Sequence, residues 1–80
     1  MTAQEMFKKL GYIKYINRDT GDIVYRKQNT FVEFSAIKQT VVTAFVSMYY
    51  KDTLAYRALD VDVALFQAIQ KQLEELGWLK

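Results

Sequence analysis

The chain contains no cysteine, no histidine and no proline, and only three glycines among its 80 residues. Without cysteine there is no disulfide scaffold, no thiolate metal site and no thiol nucleophile. Without histidine there is no imidazole base and no ordinary transition-metal cluster. Because no proline-rich or low-complexity linker divides the sequence, it predicts a single domain over residues 1–80.

Long hydrophobic runs are also missing. The longest apolar segment, Val41 to Tyr50, is interrupted by Thr43 and Ser47 and is too short to cross a membrane. The opening residues MTAQEMFKK lack the basic-then-apolar layout of a signal peptide. The net charge of +2 is too small to indicate nucleic-acid binding by itself. We therefore expect a soluble, cytoplasmic protein with no membrane contact.

Aromatic residues are abundant: six Tyr, five Phe and one Trp. The chain is 51% hydrophobic and 25% charged, which is typical of a globular domain and not of a disordered one. A chain this short has a thin core, and each ring can bury about 150–250 Å². We expect the rings to supply much of the core volume.

The segment from residue 62 to 78 has the strongest pattern in the sequence. Asp62 suits an N-cap, and Gly77 suits the left-handed residue that ends a helix. Between them, one arc of about 100° collects Leu65, Phe66, Ile69, Leu73 and Leu76. This spacing predicts a C-terminal helix with an apolar face.

A second, shorter helix is predicted at residues 2–10. Thr2 and Glu5 have the spacing of a capping box, and Gly11 ends the segment. Met6, Phe7 and Leu10 recur at helical spacing. A helix of this length is not stable alone and must pack on the rest of the domain.

The residues between the helices are β-branched and aromatic, which favours strands. Short connections between successive strands predict an antiparallel meander, because parallel strands need long crossovers. A fifth strand and a loop leading to Asp62 remain alternatives for residues 54–59. The predicted strands are Tyr12 to Ile16, Ile23 to Lys27, Thr30 to Ser35 and Thr40 to Tyr50.

The predicted fold class is therefore α+β: a short N-terminal helix, an antiparallel β-meander of four to five strands, and a C-terminal helix packed on one face of the sheet. In the fourth strand, the residues from Val42 to Tyr50 at even positions form the more apolar side, so we expect them to face the helices. The predicted core is Met6, Phe7, Leu10, Val42, Ala44, Val46, Leu65, Phe66, Ile69, Leu73 and Leu76, with Trp78 at its edge.

On this assignment the fourth strand turns Phe45 and Tyr49 toward a side of the sheet without a helix. The side on which the hairpin tyrosines lie is undetermined from the pattern. An uncovered aromatic surface favours a partner, either another protein or a second copy of the chain. The predicted protein-contact residues are Phe45, Tyr49 and Tyr25.

Single-stranded nucleic acid is the alternative partner. Basic and aromatic side chains interleave over residues 12–34, and such sheets bind single strands by neutralising charge and stacking on bases. No RNA-recognition consensus is present, and lysines on a half-buried sheet are ordinary. The residues proposed for this contact are Lys14, Arg18, Arg26, Lys27 and Tyr25.

Catalysis is not expected. The carboxylates Asp60 and Asp62 are accounted for by helix capping, and Glu74 and Glu75 by a solvated helix face. Asp19 and Asp22 flank a turn glycine and lack the further oxygen ligands of a calcium loop. No catalytic residue, metal, cofactor or small-molecule substrate is predicted.

Both ends of the chain show a family resemblance. The opening MTAQEMFKKLGY and the closing AIQKQLEELGW resemble the ends of small uncharacterised proteins encoded by phages and prophages of Gram-positive bacteria. Members of that group open with a helix ending in LGY, continue through two tyrosine-rich hairpins and close with a helix ending in ELGW. Residues 40–60 depart from it, being longer and more apolar than the usual acidic loop. The resemblance implies only a phage-related context in the host cytoplasm, and it transfers no activity and no functional residue. With catalysis not expected from the residues themselves, the function predicted is that of a non-catalytic accessory or interaction protein.

Overall fold

The computed structural model describes residues 1–48 and 54–79, with side-chain environments for residues 1–46 and 59–79. Within these residues, two helices pack on a sheet of five antiparallel strands, which follow one another in chain order. The predicted fold class is confirmed, and residues 54–58 form a strand rather than a loop. The elements are α1 (Ala3–Lys9), β1 (Ile13–Ile16), β2 (Ile23–Lys27), β3 (Thr30–Ser35), β4 (Thr40–Met48), β5 (Leu54–Ala58) and α2 (Val63–Glu75).

The helix ends follow the predicted capping chemistry. The Thr2 hydroxyl accepts from the Glu5 N–H at 3.2 Å, while the Glu5 carboxylate accepts from the Thr2 N–H at 2.8 Å. Asp62 caps α2 by accepting from the Leu65 N–H at 2.8 Å. Gly11 and Gly77 have φ of 94° and 75°, so each ends its helix in the left-handed conformation that glycine adopts without strain.

The register of the sheet is fixed by short turns. Gln28 and Asn29 form the two-residue turn between β2 and β3, so Lys27 pairs with Thr30. The same register places Tyr25 opposite Val32, and Ile23 opposite Phe34. Because side chains of paired residues share a face, one side of β2 and β3 is strongly apolar.

Both helices cover that apolar side. The core contains Phe7 from α1, three residues from α2, and four from the two central strands. Its centre is a cluster of rings: Phe7 stacks on Tyr25 with centroids 3.8 Å apart, and Phe34 meets both rings edge-on. The buried cluster is Phe7, Tyr12, Ile23, Tyr25, Val32, Phe34, Leu65, Ala68 and Ile69.

The predicted faces of β4 are reversed. Val41 pairs with Phe34, and Thr43 pairs with Val32, so the odd-numbered residues lie on the helix side. Val42 is therefore exposed, and Ala44, although buried, lies on the opposite side with Val46. The larger rings of β2 and β3 decide which side the helices cover, and β4 follows through its register. Met48 and Tyr50 are outside the residues whose side chains are described.

Phe66 was also wrongly assigned to the core, because its side chain is 56% exposed. Helix α2 packs through Leu65, Ala68, Ile69 and Gln72, at spacings of three and four residues. The centre of that face lies about 110° away from Phe66 at 100° per residue. Met6, Leu10, Leu73, Leu76 and Trp78 pack around the core as partly buried residues, as predicted.

Candidate interaction surface

The side of the sheet opposite the helices has its own continuous set of residues, here called the open face. The register aligns Ile13, Arg26, Phe31 and Ala44 in one row across four strands. Tyr15, Val24, Glu33 and Val42 form the neighbouring row. Val46, two residues beyond Ala44, extends the same side of β4. The open face is defined as Ile13, Tyr15, Val24, Arg26, Phe31, Glu33, Val42, Ala44 and Val46.

Most of the open face is apolar, and much of it contacts water. Ile13 is 62% exposed, Tyr15 52% and Val42 44%. Val24, Phe31 and Val46 are half-buried. Single exposed apolar residues are normal on a protein surface, whereas a contiguous patch usually marks an interaction site. The open face is such a patch.

The open face also carries one positive and one negative side chain. Arg26 and Glu33 lie diagonally on neighbouring strands, because Arg26 pairs with Phe31 two residues before Glu33. In the described part of the chain, the one ion pair joins Lys71 to Glu74, so Arg26 and Glu33 form none with each other. Both charges remain available to a partner that brings the opposite sign.

Of the predicted protein-contact residues, Tyr25 is wrongly assigned because it is fully buried in the core. Its hydroxyl donates a 2.5 Å hydrogen bond to Oε1 of Gln72, which is itself buried. Burial, followed by the charge of Glu75, raises the pKa of Tyr25 to about 12. Tyr25 therefore belongs to the helix–sheet core and cannot contact a partner or a base.

Of the other two predicted contact residues, only Phe45 lies within the described part of the chain. Phe45 pairs with Thr30 and lies half-buried on the helix side of the sheet, which reverses the predicted side. Tyr49 lies outside the described residues. The open face is therefore built from β1, β2 and β3 as much as from β4.

The residues proposed for nucleic-acid contact are dispersed. Arg18 is exposed in the turn between β1 and β2, and Arg26 lies on the open face. Lys14 is half-buried in β1 at a position paired with Tyr25, on the helix side. Lys27 places its ammonium 5.7 Å from the ring centroid of Tyr12. Lys14 and Lys27 thus lie on the helix side, apart from Arg26 and Arg18, and the five proposed residues do not form one surface.

A signal for the open face was present in the sequence. With Gln28 and Asn29 as a two-residue turn, Arg26 and Glu33 fall on one side of the hairpin. Charged residues mark the side that faces water, so the opposite side, with Tyr25 and Phe34, had to be the covered one. The register of the turn, combined with the two charges, would have placed both faces.

Comparison with known proteins adds no relative. No family model matches the chain, and searches of curated proteins and of solved structures found no significant match. The resemblance to phage and prophage proteins thus stays a prediction. Within residues 1–48 and 54–79, no helix is long and apolar enough to span a membrane.

Proposed function

We propose that the protein is a non-catalytic interaction protein that acts through the open face, with a second copy of the chain as its partner. The terminal motifs suggest the context of an accessory protein of a phage or prophage in the host cytoplasm. Catalytic groups, metals and cofactors have no part in this proposal. A host protein is the other candidate partner for the same surface.

The observation that carries the proposal is the self-complementary charge of the open face. A twofold axis placed between Arg26 and Glu33 would bring Arg26 of each copy opposite Glu33 of the other copy. Two ion pairs would then form, and the apolar residues around them would stack against each other. A surface with one charge of each sign within an apolar patch suits its own copy without further adjustment.

The size of the surface predicts a weak dimer. Four strands about 4.8 Å apart and about five residues long give a footprint of roughly 20 Å by 17 Å. The two copies together would bury roughly 700 Å² of surface, counted as flat area without the added area of protruding side chains. Stable complexes bury about 1,200–2,000 Å² in total. We expect a dissociation constant in the range of roughly 10–100 µM.

Size-exclusion chromatography with light scattering tests the proposal directly. The informative variant is Val42→Lys, which puts a charge at the edge of the paired apolar surface. Its matched control is Ile37→Lys, because Ile37 is 85% exposed and lies in the turn between β3 and β4. We expect Val42→Lys to weaken the dimer at least about tenfold and Ile37→Lys less than about twofold.

Charge reversal provides a sharper test of the geometry. Arg26→Glu and Glu33→Arg should each weaken self-association, because each brings like charges together across the axis. Mixing the two variants should restore association as a heterodimer, since both cross-axis pairs then have opposite signs. A mixture that associates no better than either variant alone would rule out this dimer, as would a wild-type chain that is monomeric at millimolar concentration.

Single-stranded nucleic acid is a second candidate, favoured by the presence of Arg26 on the same open surface as the half-exposed ring of Tyr15. Fluorescence anisotropy of labelled oligonucleotides at about 50 mM salt tests it, because charge-driven binding must weaken strongly by about 200 mM. Arg26→Gln and Tyr15→Ala should each reduce binding, with Lys38→Gln as the charge-matched control. Absence of binding at low salt would exclude this candidate.

A further inference from the structure

A cleft lies between α1 and the edge strand β1, away from the centre of the open face. Its volume is about 220 Å³, and Gln4, Lys8, Tyr12, Ile13 and Lys14 line it. Pockets that enclose whole small molecules measure about 300–1,000 Å³. The cleft is therefore of a size to hold one functional group and not a complete organic ligand.

The local fold brings these residues together. Gln4 and Lys8 are four residues apart, so they share one face of α1. Gly11, with φ of 94°, reverses the chain, and the Tyr12 N–H donates to the Phe7 carbonyl at 3.0 Å. Strand β1 therefore begins directly beside the helix, and the buried ring of Tyr12 anchors that junction against Phe7.

Positive charge collects around the junction. Lys8 and Lys14 enter the cleft from the helix and the strand, and Lys27 lies over the ring of Tyr12. None of the three forms an ion pair within the described part of the chain. Glu5, the carboxylate on the same helix, is engaged with the backbone of Thr2, which lowers the pKa of Glu5. Glu5 keeps its negative charge but does not line the cleft, and none of the residues that do line it is a carboxylate.

Helix capping explains only part of this arrangement. Lysines in the last turn of a helix, such as Lys8 and Lys9, interact favourably with the helix dipole. That effect does not account for Lys14, which belongs to a strand and is half-buried beside the helix. Two like charges brought into one concave site repel each other unless an anion occupies it.

We propose that this cleft binds a phosphate group, held by the ammonium groups of Lys8 and Lys14. The Gln4 amide supplies a neutral hydrogen-bond donor, and Ile13 and Tyr12 form an apolar wall beside the anion. The phosphate can belong to a small phosphate ester or to a nucleic-acid backbone. The cleft shares only Ile13 with the open face, and the lysines that would hold the anion are not part of that face, so the proposal does not depend on self-association.

Backbone amide NMR of the nitrogen-15-labelled protein tests the site, first with inorganic phosphate at constant ionic strength. We expect saturable shifts at residues 4, 8 and 12–14, with little change in the β3–β4 turn. The Lys8→Gln/Lys14→Gln variant should weaken binding at least about tenfold, because charge-assisted hydrogen bonds supply most of the affinity. Lys38→Gln removes the same kind of charge from a turn and should change the affinity less than about twofold.

Two further titrations identify the source of the phosphate. A nucleoside monophosphate and a single-stranded oligonucleotide are each added to wild type and variants at about 50 mM and about 200 mM salt. If the oligonucleotide binds more tightly per phosphate, and its salt dependence decreases in the double variant, the ligand is a nucleic-acid backbone. If the monophosphate binds as tightly, the ligand is a small ester. Non-saturable shifts, or equal losses in the double variant and Lys38→Gln, would overturn the proposal.

Discussion

The two faces of the sheet are formed by the same strands but differ in their side chains and in what covers them. The covered face has the rings of Tyr25 and Phe34, which pack at fixed angles against Phe7. The open face has two less buried rings, the half-exposed Tyr15 and the half-buried Phe31, together with smaller apolar residues and the charges of Arg26 and Glu33. A face that helices cover has large side chains that pack closely. A face that is exposed to water, and in our proposal to a partner, has moderately apolar residues and charges that determine the orientation of binding.

The largest effect should come from the covered face. Phe34→Ala removes a fully buried ring that contacts Phe7 and Tyr25, and should lower the free energy of unfolding by about 3–5 kcal/mol. Tyr15→Ala on the open face should cost less than about 1 kcal/mol. Urea unfolding followed by Trp78 fluorescence measures both. Phe34→Leu keeps the comparison possible if Phe34→Ala does not fold, and equal losses at positions 34 and 15 would contradict the assignment of the faces.

Helix α2 allows the same comparison within one element. Ile69→Ala should lower the free energy of unfolding by about 2–5 kcal/mol, because Ile69 is in the core. Phe66→Ala, three residues earlier, removes a larger but exposed side chain and should cost less than about 1 kcal/mol. Thermal or urea melts of the two variants measure the difference. A larger loss for Phe66→Ala would show that the helix is rotated from the described orientation.

The buried hydroxyl of Tyr25 should give the covered face a pH dependence. A tyrosine whose folded-state pKa is raised from 10 to about 12 binds its proton more tightly when folded. Its contribution is therefore complete below pH 10 and is lost as the pH rises toward 12, by up to about 2–3 kcal/mol. The difference in unfolding free energy between wild type and Tyr25→Phe, measured from pH 8 to 11.5, isolates this contribution from the other titrating groups. A difference that does not change with pH would contradict the assignment.

The smallest effect concerns the contact between the two helices. The Glu75 carboxylate accepts from the Ala3 N–H at 2.8 Å, so the last residue of α2 satisfies the first turn of α1. Glu75→Ala should cost up to about 1 kcal/mol. Glu74→Ala is the matched control, since Glu74 forms only an exposed pair with Lys71, and it should change stability by less than about 0.5 kcal/mol. Urea unfolding decides whether the two neighbours differ.

The prediction of function depended on faces that the pattern of β4 alone did not determine. Odd-numbered and even-numbered residues of that strand differ little in apolarity, so its pattern gives only a small preference for the helix-facing side. The rings at Tyr25 and Phe34 outweigh that difference through the register. For this reason Tyr25 moved from the candidate contact surface into the core, and Phe45 moved to the helix side.

Contacts between residues far apart in sequence also had no local signal. The hydrogen bond between Tyr25 and Gln72 joins residues 47 positions apart, and the one between Ala3 and Glu75 joins residues 72 positions apart. Gln72 is polar and Glu75 belongs to a run of charged residues, so both resemble solvent-exposed helix positions. Packing against the sheet buries Gln72, whereas Glu75 stays exposed and gains its role through contact with α1.

What the sequence determined by itself is the set of local elements. Capping involves only neighbouring backbone groups, so the local sequence determines where the helices begin and end. The residues responsible are Thr2, Glu5, Gly11, Asp62 and Gly77. Short turns likewise determined the antiparallel meander. Only the tertiary structure decided which side of the sheet the helices cover, how α2 is rotated, and which residues form the open face and the basic cleft. Those choices depend on packing between distant segments, whose energies are not contained in any local pattern.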